Sequence, residues 1–273
     1  MKIAVLYFSA TGNTKKMADV IESALAELGA QVEKFDVTVP AGRKEPMDFS
    51  VYDGVIFGAP IHSMRAPRVL REWLQTLNGQ GKKAAMYFTY GGFHVHPCHY
   101  STREILATAG FTVVASAEFL GAHTFNRGGW QAVPQRPDAS DYAAAKDYAA
   151  AVYARFSGKD GGVLGELEKT DMNEEFLDAI EGFRFKALTQ LPTRNGKECS
   201  LCMACQEQCP SGAMDAEKGE ADPALCIACL GCLDVCPEDA LEINDMSGVF
   251  AQRMEMEKST PQDLNKKQSK IYL

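Results

Sequence analysis

Apolar residues keep two rhythms over the first 157 positions. Short runs rich in Val, Ile, Phe and Tyr fall at Ile3 to Phe8, Val32 to Val37, Gly54 to Gly58, Lys83 to Thr89 and Phe111 to Phe119. Their length and residue types suit strands. Between them apolar positions recur at helical spacing: Met17, Ile21, Ala24, Leu25 and Leu28, then Val69, Leu70, Trp73, Leu74 and Leu77. Ile105 and Leu106 mark a further helix, and Tyr142, Ala145, Ala149, Val152 and Phe156 a last one. Five strand-helix units predict a parallel sheet covered on both faces, because each parallel crossover returns the chain through a helix. The expectation is a doubly wound α/β domain over residues 1–157 with a five-stranded parallel sheet.

The pattern then changes. "GAHTFNRGGWQAVPQRP" after the fifth strand is longer than an ordinary connection, which marks a functional or disordered loop. "SGKDGGVLG" opens a linker over 158–194, and within it Phe176, Leu177, Ile180 and Phe183 predict an amphipathic helix that packs on one of the two domains. A small cysteine-rich α+β module occupies 195–247. The tail, 248–273, is polar and mixed in charge, and no structure is assigned to it.

Composition changes this picture in two respects. Of nine cysteines, eight lie between Cys199 and Cys236, spaced as one ligand set rather than as disulfide partners, which fits a reducing compartment. The formal charge of −8 is also concentrated: Glu198 to Glu242 holds ten acidic residues against one lysine, or −9, which leaves +1 for the rest. Nucleic acid is excluded as a partner by that balance, because phosphate binding needs a basic face. The first residues are too short an apolar run for a signal segment and no stretch is long enough for a membrane span, so a soluble cytoplasmic protein without membrane contact is expected.

"CSLCMACQEQCP" and "CIACLGCLDVCP" both follow C-x2-C-x2-C-x3-C-P. Structural zinc uses two C-x2-C pairs and leaves the third step of each half unexplained. The doubled pattern resembles bacterial-type two-cluster ferredoxins, in which the fourth cysteine of each half ligates the other cluster. That resemblance implies two 4Fe-4S clusters: one on Cys199, Cys202, Cys205 and Cys236, the other on Cys226, Cys229, Cys232 and Cys209. An acidic shell disfavours an added electron, so low potentials are expected.

"YFSATGNTKK" sits where the first strand gives way to the first helix, where unpaired backbone N–H groups face a phosphate. It lacks the glycines and lysine of a nucleoside-triphosphate loop and the G-x-G-x-x-G of a nicotinamide site. A Ser/Thr-rich helix cap is the plainer alternative for this loop alone. Together with "FGAPIHSM" after the third strand and "TYGGFHVHPCHY" after the fourth, it resembles the flavodoxin family over residues 1 to about 157. The resemblance implies FMN, with its phosphate on Ser9, Thr11, Gly12, Asn13 and Thr14, its ring beside Pro60, Ile61, His62 and Ser63, and the opposite edge beside Thr89, Tyr90, Gly91 and Gly92.

His94, His96, Cys98 and His99 crowd into the third of these loops. Three roles compete for the histidines: residues of a partner-docking face, a metal site, or proton donors to a reduced flavin or its substrate. As candidate catalytic groups they are His94, His96 and His99. Cys98 reads as a small packing residue.

Clusters pass one electron at a time and FMN holds two, so the fusion converts single-electron into paired-electron traffic. It resembles flavodoxin family 4Fe-4S proteins of anaerobes. The expected function is electron transfer between the clusters and FMN, to or from a redox partner protein. The alternatives are an FMN-dependent reductase of a small organic substrate, an unsaturated or nitro compound, whose pocket the loop from Gly121 to Pro137 and the histidines would build, and a redox or iron sensor. A homodimer is a further expectation, in case a second protomer brings the clusters to the flavin.

Overall fold

The computed structural model describes residues 1–183 and 189–273. Strands β1 (Lys2–Tyr7), β2 (Gln31–Asp36), β3 (Gly54–Pro60), β4 (Lys83–Tyr90) and β5 (Thr112–Leu120) form the five predicted parallel strands, in the order β2-β1-β3-β4-β5. β1 shows why its sequence is a continuous apolar run. Ile3, Val5 and Tyr7 enter the core beneath helices α1 (Asn13–Glu27) and α4 (Ala139–Phe156), while Ala4, Leu6 and Phe8 enter the core on the other face. There they pack with α2 (Arg68–Leu74) and α3 (Cys98–Thr108). A strand buried on both faces has no polar side to show.

The sheet has a sixth strand that the sequence pattern did not predict. The polar tail folds into α8 (Ser247–Met256), α9 (Pro261–Asn265) and β8 (Lys270–Tyr272), and β8 adds antiparallel to β5. Its anchors are hydrogen bonds: Ser269 Oγ donates to the buried Asp141 at 2.5 Å, Tyr272 OH donates to Glu118 at 2.8 Å, and the Arg136 guanidinium donates to the Asn265 and Lys267 carbonyls. Side-chain hydrogen bonds of this kind leave no apolar periodicity, so the tail reads as unstructured from sequence.

Helix α5 (Glu174–Phe183) is the predicted amphipathic segment, but apolar packing is not its main attachment. Leu177 is buried, while Phe176 and Phe183 are exposed. The helix is instead clamped by Arg65, only 1% exposed, which reaches Glu174 at 2.6 Å, Asp178 at 2.5 Å and Glu181 at 3.0 Å. Arg71 adds a second bond to Glu181 at 3.0 Å.

The cysteine module contains α6 (Ala204–Glu207), α7 (Gly231–Val235) and the small antiparallel pair β6 (Met214–Asp215) and β7 (Glu220–Ala221). Thr193 bridges Glu220 and Glu242 and closes the module on itself. It packs against the strand ends of the large sheet within the same chain. Arg43 donates to the Pro210 carbonyl at 2.6 Å, Met246 N–H donates to the Gly128 carbonyl at 2.6 Å, and Arg127 pairs with Asp234. No second protomer is needed for this contact.

Candidate functional site

In the order β2-β1-β3 the parallel strands are added on opposite sides of β1, and a cleft opens at the carboxyl ends of β1 and β3, where open α/β sheets bind ligands. Ser9, Thr11, Asn13 and Thr14 line it from the first loop, Pro60, Ile61 and His62 from the second, and Thr89, Tyr90 and Gly91 from the third. The N-cap of α1 is Gly12 at φ 88°, with no side-chain cap and no acidic residue in the first turn. A 15-residue helix therefore presents its positive end to the cleft. The loops are stitched together: Thr14 and Thr89 hydroxyls lie 2.7 Å apart, and Asn13 donates to the Ala122 carbonyl at 3.0 Å. Gly92 turns the third loop at φ 83°.

Gly121, Ala122, His123 and Thr124, after β5, form a fourth wall of the cleft. The loop from Gly121 to Pro137 is expected from sequence to build the pocket of a reductase, and is not among the residues assigned to the flavin. A Cβ on Gly91 would lie 2.2 Å from the His123 side chain, and one on Gly121 would lie 3.0 Å from Asn13, so both glycines permit close approach.

The cleft is small, about 50 Å³, room for little more than an anionic head group. Through Ile61, Tyr90, Gly91 and His123 it shares walls with a chamber of about 460 Å³. Ser63 and Met64 of the second loop and Phe93 and His94 of the third line that chamber. The α1 N-terminus could hold a phosphate, and the second and third loops could flank a flat ring, so the residues present fit a flavin nucleotide. Burial pushes the Tyr90 phenol well up, with Glu118 adding to the effect, so it faces the site as a neutral aromatic.

None of His94, His96 and His99 lines the small cleft; His62 and His123 do. His94 is exposed at the chamber wall, its Nε2 3.4 Å from Glu257. His96 Nδ1 lies 3.7 Å from Glu168. His99 is buried behind β5, with Nδ1 2.6 Å from Ser116 Oγ and Nε2 3.2 Å from Glu118. Burial opposes the Glu118 carboxylate, but hydrogen bonds from His99 and Tyr272 outweigh it and hold its carboxyl below the usual range. Cys98 is fully buried, and burial pushes its thiol up, as suits a packing residue.

The two cysteine repeats share one backbone. Leu201 and Met203 in the first half, Ala228 and Leu230 in the second, all adopt the left-handed conformation, at φ 56°, 65°, 45° and 60°. Such turns aim successive N–H groups inward. Leu201 N–H donates to Cys199 Sγ at 3.4 Å and Ala228 N–H to Cys226 Sγ at 3.4 Å. Ala213 N–H donates to Cys209 Sγ at 3.2 Å and Ala240 N–H to Cys236 Sγ at 3.3 Å. Cys199, Cys202, Cys205 and Cys236 line one cavity, so the last cysteine of the second half joins the first three of the first half. Burial pushes the Cys232 thiol up, and Cys229, Cys226 and Cys209 beside it push the same way. Crowded buried thiols resist ionisation unless a cationic core takes the protons' place, which an iron-sulfur cube does. Among the described residues no three His, Cys, Asp or Glu side chains gather as around a single ion, and a four-iron cube, being wider, does not ask them to.

The two quartets differ in surroundings. Cys202 is exposed and Cys199, Cys205 and Cys236 half-buried, whereas Cys226 and Cys229 are buried. Cys229, 7% exposed, itself lines the cleft at the α1 N-terminus. A Cβ on Gly231 would lie 2.7 Å from the Ala10 carbonyl, so a glycine allows this loop to rest on the first loop of the sheet.

A flavodoxin domain family matches residues 4–96, and a 4Fe-4S dicluster domain family matches 198–241. The chain is 30% identical over 92 residues to a flavodoxin of Clostridium saccharobutylicum, a match covering 33% of this chain and 56% of that protein. It is 28% identical over 142 residues to the minor allergen Alt a 7 of Alternaria alternata, covering 45% of this chain and 67% of the relative. Among solved structures, oxidised flavodoxin 2 of Bacillus cereus aligns at TM-score 0.45 and 21% identity, over 59% of this chain and 100% of its own. Rubredoxin oxygen:oxidoreductase of Desulfovibrio gigas aligns at TM-score 0.43 and 18% identity, over 58% and 36%. The chain thus carries a flavodoxin domain, which implies FMN, and a dicluster domain, which implies two 4Fe-4S clusters. Its role is flavin and iron-sulfur electron transfer. No helix among the described residues is long and apolar enough to cross a membrane.

Proposed function

We propose that this chain, which joins a flavodoxin domain to a 4Fe-4S dicluster domain, relays electrons between a separate redox protein and its own flavin through two clusters in series. The observation that carries the proposal is Cys229 in the wall of the flavin cleft. We assign Cys226, Cys229, Cys232 and Cys209 to a proximal cluster and Cys199, Cys202, Cys205 and Cys236 to a distal one. When bound, the clusters supply single-electron steps and FMN supplies paired ones.

The residues of the chain hold and order this traffic. Ser9, Thr11, Asn13, Thr14 and the α1 N-terminus at Gly12 take the flavin phosphate. Pro60, Ile61, His62 and Ser63 flank one face of the ring, and Thr89, Tyr90, Gly91 and Gly92 the other. Backbone N–H donors to Cys199, Cys209, Cys226 and Cys236 stabilise their thiolates. The exposed rim at Leu201 and Cys202, in the acidic part of the chain, is where a partner protein meets the distal cluster. We take residues 1–157 and 195–247 as the two cofactor-bearing units and a reducing, cytoplasmic setting as their place. Gly231→Leu tests the relay: pushing the module off Ala10 should slow cluster-to-flavin transfer on the order of tenfold or more while iron and FMN content stay unchanged. Unchanged transfer in that variant would defeat the proposal.

A second reading has one observation in its favour. The chamber beyond the cleft is walled by segments that add to the three flavin loops, which suits a flavin that hands its electrons to a small organic molecule.

A further inference from the structure

Arg43, Arg68 and Arg127, all from the sheet domain, reach onto the cysteine module, and they do so differently. Arg127 pairs with the Asp234 carboxylate. Arg43 and Arg68 bind backbone carbonyls, and among the described residues neither makes an ion pair. Arg68 donates to the Ala224 carbonyl at 3.2 Å from an exposed position. Arg43 is half-buried at the junction. Its guanidinium donates to the carbonyls of Val37 at 2.5 Å, Thr38 at 2.6 Å and Pro210 at 2.6 Å, and lies 5.7 Å from the Phe8 ring centre. Asp36, at the end of β2, is bonded instead by the Thr38 N–H at 2.8 Å and the Tyr7 hydroxyl at 3.1 Å. Arg43 does not line the flavin cleft either. Its positive charge is delivered to the residue that follows Cys209.

The repeat supplies its own comparison. Pro210 is followed by Ser211, whereas Pro237, after the equivalent Cys236, is followed by Glu238. Glu238 lines the cavity of Cys199, Cys202, Cys205 and Cys236 and accepts the Ser200 N–H at 2.9 Å. Arg194 stands in the same wall, so that quartet meets charges of both signs. The crossing cysteine of the buried quartet has a cation beside it and no carboxylate at the equivalent place. Burial makes such a charge count. An electron added to a cluster adds negative charge, which costs more in a buried, low-dielectric place than near water. Without an offset, the quartet that includes Cys226 and Cys229 would be harder to reduce than the exposed one. An electron arriving at the surface would then stop short of the flavin.

We infer that Arg43 is the counter-charge that raises the potential of the proximal cluster, so that a single electron passes inward from the distal one. This rests on the relay proposed above, which assigns Cys209 to the proximal cluster. In the step, one electron leaves the distal cluster, which is oxidised, and enters the proximal cluster, which is reduced; no bond changes and no proton moves. Arg43 acts by its charge and by its hydrogen bond to the Pro210 peptide, not as a ligand.

The test is an anaerobic reductive titration of the holoprotein followed by EPR, with each cluster's signal assigned from Cys202→Ser and Cys229→Ser. Arg43→Gln removes the charge and keeps a donor, and Arg43→Lys keeps the charge. Arg43→Gln should shift the sharing of one electron between the clusters about tenfold toward the distal one, which is about 59 mV, by lowering the proximal potential alone. Arg43→Lys should stay within about twofold of the parent. Iron and FMN content are measured in every variant. The inference is overturned if Arg43→Gln moves neither potential, if the distal potential moves as far or moves instead, if Arg43→Lys shifts as far as Arg43→Gln, or if Arg43→Gln loses iron, which would make Arg43 a structural tie. Cluster-to-flavin transfer in the parent separates the two claims. Intact transfer with no shift removes only the counter-charge, and a shift with no transfer removes the relay and leaves the tuning.

Discussion

The two cysteine quartets are close repeats in sequence and in backbone, and they differ in what surrounds them. The left-handed turns and N–H donors recur in both halves, as at Leu201 and Ala228. One quartet keeps Cys202 at the surface, whereas the other buries Cys226 and places Cys229 against the flavin cleft. Repetition sets how a cluster is held, and docking sets what it is for. The asymmetry comes from contacts that the two halves do not share: Gly231 against Ala10, Arg43 on Pro210, and Met246 on Gly128.

The largest expected effect is a contrast between two serine variants. Cys202→Ser and Cys229→Ser should each lose about half of the iron, one cube of two. Only the second should cut the remaining cluster off from the flavin, seen as FMN that no longer bleaches when the clusters are reduced. Equal flavin bleaching in both would erase the distinction. Cys209→Ala sharpens it: this residue lies in the first half of the module, but it should reproduce the Cys229→Ser defect, with cluster-resolved EPR retaining the distal signal.

A smaller effect concerns the acidic exposed quartet. Reduction by a dicationic viologen should slow as salt is raised from about 0.01 to 0.15 M, where the screening length falls from about 30 to 8 Å, while a neutral mediator should be indifferent. Similar salt dependence for both mediators would place electron entry elsewhere. The smallest effect is a control at a residue of neither quartet. Glu118 holds its proton less readily when folded, so its stabilising contribution is present above the unfolded carboxyl value of about 4.3 and is lost as pH falls through the lower folded value. Glu118→Gln should therefore cost about 1 kcal/mol at pH 7 in thermal unfolding, with the gap to the parent closing in acid and the cluster spectra unchanged. A gap that widens on acidification would contradict the assignment.

The sequence was most legible where one local rule decides the structure. Strands β1, β3 and β4 are buried along almost their whole length, and four thiolates for each cube need a fixed spacing, so both could be read before any coordinates. Tertiary polar contacts were not legible. The tail forms β8 through Ser269, Tyr272 and Arg136, and α5 is held by Arg65 across more than a hundred residues, and neither leaves a period in the sequence. His94, His96 and His99 line one cavity of about 450 Å³ with Glu118 and Tyr272, apart from the cleft at the α1 N-terminus, because α3 begins at Cys98 and carries His99 behind β5 to Glu118. His123, from a different strand end, lines the flavin cleft instead.

The central claim is that the electrons cross from the Cys229 quartet to the flavin inside one chain. Its most direct test is the rate of FMN reduction after rapid anaerobic reduction of the clusters, measured over a wide range of protein concentration. The account predicts a first-order rate constant that does not change with concentration. A rate constant that rises in proportion to concentration would mean that transfer runs between molecules, and would contradict it.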